Sequence, residues 1–394
     1  MKSKFRLCAA LTAAAILLCG CSAGTSDNVS GAQTLEAQPA VEEFDYGEMR
    51  DISASELVAE MTTGWNLGNT LDATGGETAW GNPVTTPEMI DAVAQAGFNT
   101  IRIPTTWNLH FDDENNFQID PEWLGRVHEV VDYAFKNDMY VIINSHHETS
   151  WIKPTMEDVD EVLPKFRAMW KQIAESFEQY GDHLLFEGLN EPRVEGGENE
   201  WNGGTEDGRK ALNVLNSAFV ETVRDTGGNN STRGLLITTF AAQVNEATMK
   251  ELEIPADPNI IISLHAYTPY RYTYHSGESW EAYAYDDSVG RDIDQVFDLI
   301  DEYYTSKGIP VIITEYGAVS KVTDDSVFPA VRNDGENIKW VTHYLERAKQ
   351  SGIPCVWWDN GYYYSGNELF GIFNRSDCSW FLPDLVEAIV GVYR

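Results

Sequence analysis

Two glutamates and their neighbours are the residues with the most to do chemically. Glu191 sits in Asn190-Glu191-Pro192, and Glu315 follows a β-branched, apolar run. Two carboxylates facing each other serve displacement at an acetal carbon: one attacks the anomeric carbon while the other protonates the departing oxygen. A double displacement of that kind needs the pair about 5–5.5 Å apart. The donor must keep its pKa raised while the nucleophile stays ionised, and a basic neighbour such as Arg102 can hold one carboxylate charged.

Such a pair can meet only if the chain brings together segments far apart in sequence. Short β-rich runs at 63–67, 100–104, 140–145, 184–188, 235–240, 260–265, 310–314 and 354–358 read as strands. Amphipathic stretches alternate with them at 87–96, 121–137, 162–180, 208–226, 293–306 and 337–350, with 382–393 at the end. Several stop at a glycine, among them Gly97, Gly181, Gly227 and Gly352. Eight strands alternating with helices predict an α/β fold, a closed (β/α)8 TIM barrel forming a single catalytic domain. The first βα turn has no GxGxxG phosphate cradle, which argues against a dinucleotide-binding sheet.

In such a barrel the active site is built at the C-terminal ends of the strands. Strand 2 ends near Arg102, strand 3 at His146 and His147, and strand 4 at Asn190 and Glu191. Strand 6 delivers His265 and Tyr267, strand 7 Glu315, and strand 8 the run Trp357-Trp358-Asp359-Asn360. Glu187, Glu206, Asp359 and Glu77 are rival carboxylates; Glu187 reads as a buried support and Asp359 as a substrate contact. Glu148 follows the two histidines, but neighbours on a strand point to opposite faces, so no metal site is expected. His128, His183 and His343 lie on helices or at a helix end and read as surface or packing residues, whereas His110 and His275 fall in loops.

Phe135, Trp170, Phe177, Phe219 and Trp340 occupy helical apolar faces and read as packing. Trp107, Trp151, Trp201, Tyr270, Tyr272 and Trp280 follow strands instead. Flat pyranose faces stack on such rings, each of which buries about 150–250 Å².

The stretches Thr63-Gly64-Trp65-Asn66-Leu67-Gly68-Asn69-Thr70-Leu71-Asp72 and Glu77-Thr78-Ala79-Trp80-Gly81-Asn82-Pro83, together with Asn190-Glu191-Pro192, resemble glycoside hydrolase family 5. The first two are most similar to its subfamily 4 endoglucanases, and the resemblance runs from about Gly64 to Trp358. It implies Glu191 as acid/base, Glu315 as nucleophile, and Asn190 on the sugar 2-hydroxyl. Arg102 and Tyr267 would orient the nucleophile, and His146 and His265 would line the site. One tryptophan of the final pair would lie beneath the −1 sugar, with Trp358 favoured over Trp357. Asn69, His147 and Trp151 join the expected substrate contacts. The implied activity is retaining endo-β-1,4-glucanase action on cellulose-type glucan, mixed-linkage β-glucan or xyloglucan, without a cofactor. A β-mannanase or xylanase on the same barrel, or a surface glycan-binding lipoprotein without turnover, are the alternatives.

Composition sets the surroundings of that chemistry. Across 394 residues, 62 acidic side chains face 27 basic ones, a formal net charge of −35. Such a surface repels nucleic acid and anionic headgroups but is indifferent to a neutral polysaccharide, the expected partner. A monomer is expected. Lys2, Lys4 and Arg6 precede an apolar run from Leu7 to Leu18, the layout of a secretory signal. Leu18-Cys19-Gly20-Cys21 resembles the bacterial lipoprotein box, implying cleavage before Cys21, lipidation of its sulfur and a cell-surface location; an ordinary signal cut after Ala23 is the alternative. Residues 1–20 are thus read as signal, 21–46 as flexible linker and 47–394 as catalytic domain. Only Cys355 and Cys378 remain in the body, enough for one bridge.

Overall fold

In the computed structural model, residues 44–274, 284–321, 332–364 and 368–394 are described. The expected signal, linker and Cys21, and with them His275 and Trp280, lie outside the described residues. Strands β1 (Thr63–Leu67), β2 (Thr100–Ile103), β3 (Tyr140–Asn144), β4 (Leu184–Glu187), β5 (Leu235–Gln243), β6 (Ile260–His265), β7 (Val311–Tyr316) and β8 (Cys355–Asp359) close into one parallel barrel. Each strand pairs with its sequence neighbour, and β8 returns to β1 with Thr63 opposite Cys355. The strands are buried on both faces apart from the last residue of β5, as parallel strands covered by helices must be. Compactness runs from Asp45 to Arg394.

The helices that follow are α1 (Pro87–Ala96), α2 (Pro121–Phe135), α3 (Val159–Ser176), α4 (Glu206–Asp225), α5 (Glu246–Lys250), α6 (Asp287–Tyr303), α7 (Asp334–Gln350) and α8 (Pro383–Gly391). Three begin on a proline, whose fixed φ suits the first helical turn and whose missing N–H costs nothing there. Gly97 ends α1 with φ 112, a left-handed conformation that a side chain would strain.

A short helix, Ala54–Glu60, precedes the barrel; Ser53 and Glu56 form a reciprocal capping box at its start. Its Ala54, Leu57 and Val58 pack with Met61 against Tyr140, Ile142, Leu185, Leu236, Ile261, Ile312 and Val356 from the barrel strands. Those contacts lie toward the strand starts, so the helix stoppers the end of the barrel opposite the mouth. Just before it, Tyr46 and Glu48 offer carbonyls to the N–H groups of Gly181 and Asp182, which precede β4. A Cβ on Gly181 would stand 2.4 Å from the Glu48 carbonyl oxygen, so this strap requires glycine there. Ala54–Glu60, α5 and the turn Tyr270–Thr273 were not among the expected helices; each has seven residues or fewer, too short to show a helical period.

Two irregularities matter at the mouth. The register of β5 against β6 shifts between Thr238 and Gln243, where Ala241 and Ala242 adopt left-handed φ values of 52 and 53. Ala241 N–H donates to the Pro192 carbonyl at 2.9 Å, tying this bulge to the segment that carries Glu191. Strand β7 runs on to Tyr316, two residues past the expected end, which places Glu315 inside the strand and opposite His265. Cys355 and Cys378 are free, so the one bridge the sequence allowed is not formed.

Candidate active site

The mouth of the barrel opens into a cavity of about 860 Å³. His146, His147, Asn190, Glu191, His265, Tyr267, Glu315 and Trp358 all line it. They come from the exits of five strands or from the segments just beyond them.

Arg102 on β2 is the hub beneath them and exposes no surface. Its Nε donates to Glu187 Oε2 at 2.7 Å, Nη1 to Glu315 Oε1 at 2.7 Å and Asn66 Oδ1 at 2.9 Å, and Nη2 to Asn190 Oδ1 at 2.6 Å. Burial alone would lower the guanidinium pKa, but Glu187 and Glu315 together raise it. The Asn190 carbonyl is thereby occupied, and its amide NH₂ is turned toward other partners. Glu187 is a buried support: it also accepts from Asn144 Nδ2 at 2.9 Å and from Ser263 Oγ at 2.5 Å.

Glu315 Oε2 accepts from the Tyr267 hydroxyl at 2.9 Å. Burial and the neighbouring carboxylates push the phenol pKa well up, so it remains a donor. A guanidinium on one oxygen and a hydroxyl on the other suit a negatively charged carboxylate and fix its plane.

His265 Nδ1 lies 2.9 Å from Glu191 Oε1 and 3.4 Å from Glu315 Oε2. Burial would lower the imidazole pKa, yet the two carboxylates outweigh it and hold the ring above its usual range. The Glu191 pKa moves the other way: burial would raise it, but the His265 hydrogen bond and charge, with Arg193 and His147, bring it down. The expected raised value at Glu191 is therefore not found in the open site. The reason is local: the raised His265 value and the lowered Glu191 value both follow from the hydrogen bond and opposite charges between the two side chains. One oxygen from each glutamate and one His265 nitrogen lie within 4.8 Å of one another.

His146 is fixed in one tautomer. Thr105 N–H donates to Asn144 Oδ1, so Asn144 Nδ2 faces His146 Nδ1 at 3.1 Å and the ring proton sits on Nε2. Burial, then the surrounding cations, push its pKa well down and keep it neutral. Its ring stacks parallel to Trp358 with centroids 5.7 Å apart. Trp357 points the other way, fully buried against Tyr316 and Trp340 with its indole N–H on the Phe370 carbonyl. Alternation along β8 thus puts Trp358 in the mouth.

Several expectations are corrected. Asp359 is no substrate contact: it is fully buried and accepts from Trp65, Gly361, Ile372 and Phe373. Like Trp357, it faces away from the mouth, as a spacing of two requires. His146 and His147 do not diverge, because β3 ends at Asn144 and alternation stops there; their rings lie 4.6 Å apart and both face the cavity. With Asp72 they bring three potential ligand atoms within 4.8 Å, but Asp72 already accepts from the Asn69 and Thr70 N–H groups. Burial drives the Asp72 pKa up to about 6 and the His147 pKa down to about 4, so near neutrality Asp72 is mostly ionised and His147 is neutral.

Asn69 and Trp151 lie outside the lining of this cavity. Asn69 occupies a turn at φ 54 with its carbonyl bonded to Asn82, and Trp151 is held between Glu148 and the Lys165 ammonium. Trp107 and Tyr272 are core residues without exposed surface, whereas Trp201 and Tyr270 line the cavity with 56% and 62% of their surface exposed. Arg193, Tyr274, Glu368 and Phe370 were not singled out from the sequence. Arg193 might have been, as it lies two residues beyond Glu191; Glu368 and Phe370 carry no local signal, and the turn after β8 brings them in.

Comparison with known proteins bears on this arrangement. The model of a family described as Cellulase (glycosyl hydrolase family 5) matches residues 66–364. Endoglucanase A of Ruminococcus albus is 54% identical over 350 residues, covering 87% of this chain and 94% of that protein. A broad-specificity endoglucanase from Clostridium acetobutylicum, assigned to subfamily 4, superposes with a TM-score of 0.80 at 39% identity, covering 86% of this chain and all of that one. A xyloglucan-specific endo-β-1,4-glucanase from a metagenomic library, solved with cellotriose, gives 0.80 at 43% identity, covering 85% and 98%.

Proposed function

The chain belongs to glycosyl hydrolase family 5 and is a glycoside hydrolase; on that premise we propose that it is a retaining endo-β-1,4-glucanase with Glu191 as acid/base and Glu315 as nucleophile. The observation that carries this reading is that one oxygen of Glu191 and one of Glu315 lie within 4.8 Å of each other in an open cavity. Inverting enzymes need roughly 6.5–9.5 Å to seat a water between the pair.

In the first step a Glu315 oxygen bonds to C1 while Glu191 delivers its proton to the leaving oxygen. In the second, Glu191 takes a proton from water, whose oxygen displaces Glu315 from C1 with the configuration restored. Arg102 and Tyr267 hold the attacking carboxylate in one orientation, and the Asn190 amide is free for the 2-hydroxyl of the −1 sugar. Substrate closing over the site excludes water, which disfavours the separated charges of Glu191 and His265 and returns the proton to Glu191. Trp358 offers the −1 sugar a flat apolar face.

Cellulose-type glucan, mixed-linkage β-glucan and xyloglucan are the substrates this reading favours, supported by the endoglucanases the chain resembles. The test is hydrolysis of carboxymethylcellulose, barley β-glucan, xyloglucan, glucomannan and xylan by the wild type, Glu191→Gln and Glu315→Gln. Each variant is expected to lose at least ~1,000-fold on the favoured glucan, ~4 kcal/mol of transition-state stabilisation. Near-wild-type turnover by either variant removes the carboxylate assignment, and preference for glucomannan or xylan replaces the substrate class.

Export and anchoring through lipidated Cys21 are part of the same proposal, supported by the basic, apolar and Cys-containing order of the first 21 residues. Fractionation of cells expressing the wild type and Cys21→Ala checks it: only the wild type should remain with membranes.

A further inference from the structure

Arg193 follows Glu191 by two residues, and its side chain is four-fifths buried among acidic groups. Nη1 lies 3.1 Å from the Glu191 carbonyl oxygen and 3.4 Å from Glu191 Oε2. Nε donates to Glu200 Oε1 at 3.0 Å, and Nη2 lies 3.7 Å from Glu195 Oε1. The guanidinium also covers the Trp201 ring at 4.5 Å from its centroid. Trp201 is over half exposed and lines the same cavity as the two glutamates.

The two oxygens of Glu191 therefore face different neighbours. Oε1 points to His265 and, through it, to Glu315; Oε2 points to Arg193 and, through it, to Trp201. A sugar stacked on Trp201 would lie beyond the proton donor as seen from the nucleophile, which is where the leaving group departs. We propose that Arg193 is a positioning residue that links a leaving-group platform, Trp201, to the acid/base Glu191, and sets how readily Glu191 holds its proton. This rests on the assignment of Glu191 as acid/base.

The sign of the effect follows from the charges around Glu191. Arg193, His265 and Arg102 favour its ionised form, and His147 joins them when protonated; Glu315, Glu195 and Glu200 favour its protonated form, while Tyr267 stays neutral. The alkaline limb of kcat/KM against pH reads loss of the proton that the Glu191–His265 pair shares in the free enzyme. Replacing Arg193 by a neutral residue should move that limb to higher pH, and removing the Glu200 charge should move it lower. A residue that merely braces the loop would change the height of the profile and leave its limbs in place.

The experiment is the pH profile of kcat/KM for wild type, Arg193→Gln, Arg193→Lys and Glu200→Gln, with a cello-oligosaccharide and with 2,4-dinitrophenyl β-cellobioside. The dinitrophenyl group leaves without protonation and places no sugar on Trp201. With the oligosaccharide, Arg193→Gln is expected to shift the alkaline limb up by about 0.5–1 unit, Arg193→Lys to restore it in part, and Glu200→Gln to shift it down. Arg193→Gln and Trp201→Ala should each lower kcat/KM on the oligosaccharide by about tenfold and on the aryl glycoside by less than about twofold. Unmoved limbs, or equal losses on both substrates, overturn the proposal. Glu200→Gln keeps it testable should Arg193→Gln fail to fold. Glu191→Gln is the control: if it is inactive on the oligosaccharide while the limbs stay fixed, the role of Arg193 fails and that of Glu191 stands.

Discussion

Glu187 Oε2 accepts from Arg102 Nε at 2.7 Å, and neither side chain exposes any surface to solvent. The pair sits one layer below the carboxylates and holds the guanidinium that reaches Glu315. Removing one partner of such a buried pair leaves the other charge uncompensated. Glu187→Ala should cost about 3–5 kcal/mol in denaturant unfolding and also take one hydrogen-bond partner each from Ser263 and Asn144. A loss below about 1 kcal/mol would mean that Glu315 alone suffices as counter-ion.

Product stereochemistry gives a second expectation. An oxygen of each glutamate within 4.8 Å of the other suits the close pairing that direct attack by Glu315 requires. Proton NMR in the first minutes of cello-oligosaccharide hydrolysis should show the β-anomer first, with the α-anomer growing in by mutarotation. An initial burst of α-anomer would contradict a covalent glycosyl-enzyme on Glu315.

Stability should depend on pH through His265. Its folded pKa is raised from 6.5, so its contribution is present below that value and is lost as pH climbs through the raised one. The Glu191 pKa is lowered from 4.5, so its share is present above that value and lost as pH falls through the lowered one. The stability gap between wild type and His265→Gln should be widest at about pH 5–6 and shrink toward about pH 9. A gap that is flat across this range would show that folding leaves the His265 pKa unshifted.

Neighbouring tryptophans should separate stability from turnover. Trp357→Ala empties a fully buried site and should cost about 3–5 kcal/mol. Trp358→Ala should cost less than half as much, yet lower kcat/KM by about a hundredfold through loss of the sugar platform. Unfolding curves and initial rates on the same two variants decide the matter; reversed outcomes would exchange the two roles.

Much of this was legible in the chain. Proline starts and glycine stops fixed α1 to the residue, because both act within one turn. Arg102, Glu191, His265 and Glu315 could be grouped because a closed parallel barrel sends every strand exit to one rim. Asp359 was misjudged only by neglecting the period of two that also separates Trp357 from Trp358. Phe370 and the bulge at Ala241 were beyond reach, since each depends on how a loop folds back over the rim. The stoppering helix escaped for another reason: seven residues have no period to read, and their apolar face has meaning only against the strand starts it covers.

The strap formed by Tyr46 and Glu48 leaves one end of the barrel to the substrate alone. It meets the barrel beside Gly181 and Asp182, at the strand starts, while the glutamates lie at the strand exits. The strap therefore crosses the end of the barrel away from the cavity that holds the glutamates. Nothing in that strap stands over the strand exits, so a polymer far longer than the barrel can lie across the rim without meeting it.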